Sequence, residues 1–207
     1  MSTESLTPIA SWVFGVISVI GVILTIFYGM ESKRLKKALK KMEWHDVLIF
    51  TDFLWSKLKK DKFKPDVILT PGLRGGIISE VLIGKMGHDI QVFVGISLIK
   101  DERDVNANIE GYIKLNVSDD WNIFIPKAIL SFKDKNILIV DDFCLAGEFH
   151  VRLKNELINL GIPKERIRVS YAVITSVTKS SNRAPDYYWR EITDDNFYFP
   201  WGKANTG

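Results

Sequence analysis

The chain has 207 residues, 28 Lys/Arg against 25 Asp/Glu, a formal net charge of +3 and a single cysteine. One cysteine excludes an internal disulfide, and no Cys-x-x-Cys or His-x-x-x-His spacing offers a structural metal site, so a reducing, cytosolic setting fits. Residues 31–43 carry six Lys/Arg and two Glu, which leaves the rest of the chain near −1 and excludes a nucleic-acid-binding surface by bulk charge.

Residues 1–8 form a short N-terminus. Residues 9–30 contain no charge and are almost wholly apolar, long enough to cross a hydrocarbon layer of roughly 30 Å as a helix. A cleaved signal peptide would need a basic flank and a small-residue cleavage site, and a buried core helix would need polar positions at helical spacing; neither pattern is present. Trp12 and Tyr28 stand where interfacial aromatics belong. Lys33, Arg34, Lys36, Lys37, Lys40 and Lys41 follow at once, and the positive-inside rule predicts a single-pass cell-membrane protein with its N-terminus out and its C-terminal domain in the cytoplasm. Leu35, Ala38, Leu39 and Met42 give the basic stretch 31–43 a helical apolar stripe suited to lipid headgroups, although a topology signal alone accounts for the same charges. Gly21, Thr25 and Gly29 recur every four residues on one face, a spacing that lets helices pack into a homo-oligomer but is equally common in isolated spans.

From residue 44 the composition is that of a globular domain running to residue 207. The spacing predicts a helix over 46–60, a strand over 66–70, a turn Pro71-Gly72-Leu73-Arg74-Gly75-Gly76 opening a helix to Met86, and a strand over 90–99. A polar loop over 100–108 and a strand near 112–117 come next, with 109–134 otherwise unassigned. Ile137-Leu138-Ile139-Val140 reads as a buried parallel strand ending in Asp141 and Asp142, and Gly147 leads into a helix. A strand over 168–175 and an aromatic, proline-punctuated cap, residues 186–201, complete the chain. Strands alternating with helices predict an α/β fold with a parallel sheet flanked by helices and preceded by one transmembrane helix.

Two adjacent carboxylates at a strand end can accept from two ribose hydroxyls or hold Mg²⁺ through water, while Arg74 beside two glycine amides can grip pyrophosphate. The plainer readings are a solvated acidic turn and a surface salt bridge. Leu73-Arg74-Gly75-Gly76 after a strand, Val140-Asp141-Asp142 before a glycine turn, and Phe199-Pro200-Trp201 near the C-terminus, in that order, resemble the type I phosphoribosyltransferase family, in particular its purine and xanthine-guanine members. The resemblance implies a phosphoribosyltransferase-like domain that takes phosphoribosyl pyrophosphate or a nucleotide-like ligand, with Mg²⁺ as cofactor and Asp141 and Asp142 as the ribose- and Mg-positioning residues. It further implies ligand contacts at Arg74, Gly75, Gly76, Ala146, Gly147, Glu148 and Phe149, at Lys179 beside the exocyclic oxygen of the purine, and at Phe197 against the base; an exposed lysine and a core aromatic are the bland equivalents.

The sequence departs from the family at Ala146-Gly147-Glu148-Phe149, where Thr-Gly-x-Thr normally wraps a 5′-phosphate. Both hydroxyl donors are absent, and Glu148 adds a like charge. Leu145 replaces the aspartate that many members use as a general base, and His150 is better read as structural, so no base is assigned. Two functional readings follow: a membrane-anchored transferase joining phosphoribosyl to a purine-like base, or an inactive nucleotide-sensing effector or regulatory module in which the fold has outlived its chemistry.

Overall fold

The computed structural model describes residues 20–30, 40–87, 89–100, 108–193 and 196–204. The chain divides into two compact units, Met1–Lys41 and Met42–Gly207. In the first, residues 20–30 are helical (α1), with Ile23, Phe27 and Met30 exposed and Thr25 Oγ1 donating to the Gly21 carbonyl at 2.8 Å. Among the described residues no helix is long and apolar enough to cross a membrane. Residues 1–19 and 31–39, which hold half of the predicted span and most of the basic stretch, lie outside the described residues, as do 101–107 of the polar loop.

The second unit is an α/β domain. Its parallel sheet has the order β2-β1-β6-β7-β8, formed by Gln91–Val94, Val67–Thr70, Ile137–Cys144, Ile167–Thr175 and Tyr187–Ile192. A separate antiparallel sheet has the order β3-β5-β4, from Ile96–Ile99, Trp121–Pro126 and Tyr112–Asn116. Helices α2 (Trp44–Lys60), α3 (Leu73–Met86), α4 (Glu148–Asn159) and the short α5 (Ser176–Ser180) complete it, with a small C-terminal hairpin, β9 (Tyr198–Phe199) and β10 (Gly202–Lys203).

Period-2 alternation in the parallel strands divides the interior into two layers. Ile68, Leu138 and Val140 face α2, α3 and the hairpin, packing with Phe50, Leu54, Ile78, Leu82 and Phe197. Val67, Leu69, Ile137 and Ile139 face the other way, onto Leu153 and Leu157 of α4 and Ile123 and Ile125 of β5. The fully apolar strands are thus covered on both faces, as parallel strands require. β1 leads through α3 to β2 on one side, whereas β6 leads through α4 to β7 on the other. The winding reverses between β1 and β6, which opens a crevice at their C-terminal ends.

Three details differ from the sequence expectation. The single strand over 90–99 is two, split at Gly95, whose amide donates to the Thr70 carbonyl at 2.7 Å and where a Cβ would lie 2.8 Å from Ile123. The strand beginning at Ile137 continues through the acidic pair to Cys144. Residues 187–192 extend the main sheet as an edge strand instead of forming a cap, in keeping with the β preference of Tyr, Trp and Ile.

Candidate ligand-binding site

The crevice between β1 and β6 brings together two of the three sequence motifs at once. Arg74 lies in the first turn of α3, directly after β1, and Gly75 is what allows that turn to approach β6: a Cβ there would stand 2.3 Å from the Val140 carbonyl oxygen and 3.2 Å from Asp141 Cα. Gly76 has ordinary room, its nearest neighbours being Val94 at 3.9 Å and Thr70 Oγ1 at 4.0 Å. Thr70 Oγ1, fully buried at the end of β1, has no hydrogen-bond partner among the described residues.

Asp142 is 5% exposed, and its Oδ2 accepts from Trp201 Nε1 at 2.8 Å and lies 3.8 Å from an Arg74 guanidinium nitrogen. The same Arg74 nitrogen donates to the Lys203 carbonyl at 3.0 Å, so the guanidinium spans α3, β6 and β10. Asp141 Oδ1 accepts the Asp142 amide at 3.0 Å. Burial pushes the Asp141 carboxyl well above the usual carboxylate range, and the Asp142 charge pushes it further; the Asp142 amide and Arg74 oppose this. Burial also raises Asp142, against the Trp201 hydrogen bond and Arg74. Two carboxylates held this way favour a cation, a proton or hydroxyl donors beside them.

Trp201 is the site residue that sequence reasoning missed as a contact. Its ring stacks on Phe199 at 5.3 Å and 6°, and it meets Trp44 edge-on at 5.8 Å, so the hairpin delivers the indole N–H to Asp142 on an aromatic stack. The Phe199-Pro200-Trp201 motif was the available signal.

The loop after β6 is fixed from below. Thr178 Oγ1 donates to the Cys144 and Leu145 carbonyls at 3.1 and 2.9 Å, and Thr175 Oγ1 also donates to the Leu145 carbonyl. Gly147, in the left-handed region at φ +77°, abuts Arg183, whose carbonyl oxygen would be 2.7 Å from a Cβ. Thr178→Val is expected to cost about 0.5–1.5 kcal/mol by removing the hydroxyl that ties α5 to this loop, read as a lower urea midpoint; an unchanged midpoint would exclude this tether.

Glu148 opens α4 and pairs with Arg152 at 2.6 Å, which also reaches Asp119 at 3.0 Å. The negative charge expected at the loop is therefore paired with a cation one turn along the helix. Ala146 is half-buried, and Phe149 packs against the α4-side core. His150 is 3% exposed, with Nδ1 3.5 Å from the Cys144 sulfur and its ring 5.4 Å from Tyr171. Burial lowers it to about 4, a neutral structural histidine, and burial pushes the Cys144 thiol up to about 11.

Two expected contacts are placed elsewhere. Lys179 donates to Glu191 at 2.8 Å, a hydrogen bond that raises its pKa. Phe197 is fully buried, 5.0 Å from Phe199, and faces the core between the hairpin and the sheet, where a base could not stack on it. The Ala204 amide donates to the Phe197 carbonyl at 2.8 Å, and the ring packs inward among the apolar side chains of the core. Among the described residues no group of three or more His, Cys, Asp or Glu could hold a metal ion. Two carboxylates nevertheless suit Mg²⁺, which keeps several waters and takes further oxygens from a ligand's phosphates.

No protein-family profile and no curated protein match the sequence. Solved structures do. A purine phosphoribosyltransferase from Pyrococcus horikoshii Ot3 is similar at 26% identity and TM-score 0.57, over 81% of this chain and 95% of its own. Adenine phosphoribosyltransferase from Trypanosoma brucei, solved with AMP, pyrophosphate and ribose-5-phosphate, is similar at 13% identity and TM-score 0.53, over 73% and 68% of the two chains. A hypothetical protein from Neisseria gonorrhoeae with bound ppGpp is similar at 17% identity and TM-score 0.55, over 78% and 89%. The domain that begins at Met42 has the fold of the type I purine phosphoribosyltransferases.

Proposed function

We propose that this chain is a membrane-anchored phosphoribosyltransferase-like protein that binds phosphoribosyl pyrophosphate, or a nucleotide of that type, in the crevice between β1 and β6 and transfers phosphoribosyl to or from a purine-like base. The observation that carries the reading is the meeting of Arg74 with the Asp141–Asp142 pair where the sheet reverses its winding. The uncharged run 9–30 and the basic run after it support a single-pass anchor with the domain on the cytoplasmic side.

In this reading Arg74 and the backbone at Gly75 and Gly76 bind pyrophosphate, and the unpaired Thr70 hydroxyl stands beneath the same turn to donate to it or to a bridging water. Asp141 and Asp142 orient the ribose hydroxyls and stabilise positive charge developing on the ring in an oxocarbenium-like transition state. Asp141 and Asp142 would also hold Mg²⁺ through water, and the ion when bound would neutralise pyrophosphate charge. Trp201 and Arg74 keep Asp142 oriented while it does so. Titration calorimetry of the full chain in micelles with Mg²⁺ and phosphoribosyl pyrophosphate tests this: saturable heat is expected, and its absence would sink the reading.

A second reading, a non-catalytic nucleotide sensor, is favoured by the loop 146–149, which lacks side-chain hydroxyls. The Neisseria structure with ppGpp makes guanosine tetraphosphate the ligand to titrate in that arm. Binding of it alongside silence toward phosphoribosyl pyrophosphate selects the sensor. The loop itself is tested by Ala146→Thr combined with Glu148→Gly, expected to tighten binding of phosphate esters about tenfold by restoring a donor and removing a like charge. Unchanged affinity would show that the Glu148–Arg152 pair already neutralises the loop.

A further inference from the structure

Helix α2 has two apolar faces. Val47, Phe50, Leu54 and Leu58 fill the core stripe, but Trp44, Leu48 and Ile49 on its first two turns are exposed by 56%, 48% and 40%. Trp44 keeps this exposure although its ring touches Trp201. Tyr198, whose carbonyl accepts the Met42 amide at 2.8 Å, adds a fourth large side chain, 46% exposed, beside the start of the helix. A surface helix ordinarily places polar residues at such positions, and contiguous exposed aromatic and aliphatic groups mark an interaction surface.

The charges around this patch are distributed unevenly. Two nearby carboxylates are held in ion pairs, Asp46 with Arg190 at 2.8 Å and Asp52 with Lys85 at 2.5 Å, and the Glu43 side chain caps the start of α2. The eleven residues before Trp44 include Lys33, Arg34, Lys36, Lys37, Lys40 and Lys41. Trp44 follows Lys40 by four residues, so the chain allows at most about 14 Å between their Cα atoms. Cations leading directly into Trp, with Leu, Ile and Tyr beside it, are the chemistry of an anionic bilayer surface, where the cations meet headgroup phosphates and the indole and phenol rings lie at the interface. A protein partner would have to meet the same cations with acid, whereas the lipid surface is already supplied by the anchor.

We propose that the Trp44–Leu48–Ile49 face of α2, with Tyr198, docks the domain onto the anionic phospholipid surface next to its anchor. The inference rests on the membrane-anchored reading and goes beyond it, because an anchor alone would leave the domain free of the surface.

The test uses the full chain in phosphatidylcholine vesicles with and without phosphatidylglycerol. Cys144, the one native cysteine, is 4% exposed, so Leu48→Cys can carry an environment-sensitive NBD label; Asp134→Cys, in the turn before β6 and so at the opposite end of the sheet, is the control. Docking predicts blue-shifted NBD emission at position 48, quenched by nitroxide lipids, in phosphatidylglycerol vesicles. The shift should diminish in pure phosphatidylcholine or high salt and be absent at position 134. Water-like emission at position 48 in both lipids overturns the proposal, as does a shift that follows protein density and accompanies chain-to-chain cross-linking, which would assign the face to a second copy. Alkaline carbonate extraction separates the two levels: retention in the pellet with a water-like label refutes docking alone, while release refutes the anchor.

Discussion

Asp141→Asn is expected to weaken binding of Mg²⁺ and phosphoribosyl pyrophosphate while making the domain more stable at pH 7. The two effects have one origin. Burial and the Asp142 charge raise the Asp141 carboxyl, so the folded domain holds this proton more tightly than the unfolded chain does. A group with a raised folded value contributes stability that is fully present below its unfolded value, near 3.9, and is lost as pH rises through the folded one. At pH 7, well above the unfolded value, keeping this carboxyl in the fold therefore costs stability. Asparagine removes that burden and keeps an oxygen for the Asp142 amide, which Asp141 accepts at 3.0 Å. Urea midpoints should favour the variant at pH 7 and converge toward pH 4. Calorimetry should show a loss of about tenfold to a hundredfold in affinity, the scale of a lost charged hydrogen bond. A variant less stable than the parent at pH 7 would mean that Asp141 is ionised and well paired in the folded chain, and the site would have to be redrawn. Stability spent at a binding site in this way is expected where strain or charge serves a ligand.

The pattern of residues made the central strand and its neighbours legible. Ile137 to Val140 is apolar at every position because both of its faces are covered, and the strand, turn and helix around Asp141 followed from that run and Gly147. The Arg74–Asp142 meeting was legible only as a resemblance, because the two residues lie 68 positions apart in the chain and nothing local brings them together. Trp201 escaped for the same reason: its indole reaches Asp142 through a hairpin whose geometry is set by Phe199 and Trp44 packing. Lys179 and Phe197 show the opposite limit. The resemblance assigned each a place beside the base, but a rotamer and its neighbours decide what a side chain touches, and in the structure Lys179 pairs with Glu191 while Phe197 packs in the aromatic core. Arg152 was hidden because a helix's i,i+4 pairing with Glu148 matters here only once Asp119 arrives from the antiparallel sheet.

The adjacent glycines of the Arg-Gly-Gly motif are expected to respond to alanine with opposite signs. At Gly75 the new Cβ would meet the Val140 carbonyl at 2.3 Å, Thr70 Cβ at 3.1 Å and Asp141 Cα at 3.2 Å, two of the three being backbone of β6. Backbone cannot turn aside as a flexible side chain does, so α3 must retreat from the strand. Overpacking of this kind costs about 1–3 kcal/mol, and the retreat would also draw Arg74 away from Asp142. Gly76→Ala meets nothing closer than 3.9 Å and lies inside a helix, where alanine is favoured over glycine by about 1 kcal/mol. Urea midpoints should therefore fall for Gly75→Ala and hold or rise for Gly76→Ala; equal losses would refute the packing role given to Gly75. Calorimetry on the stable Gly76→Ala protein then isolates the ligand. If pyrophosphate approaches the backbone of this turn closely, the added methyl should weaken phosphoribosyl pyrophosphate binding without weakening the fold. Unchanged affinity would place the pyrophosphate on Arg74 and the carboxylate-bound ion instead, leaving Gly75 as the glycine the domain needs for its own assembly.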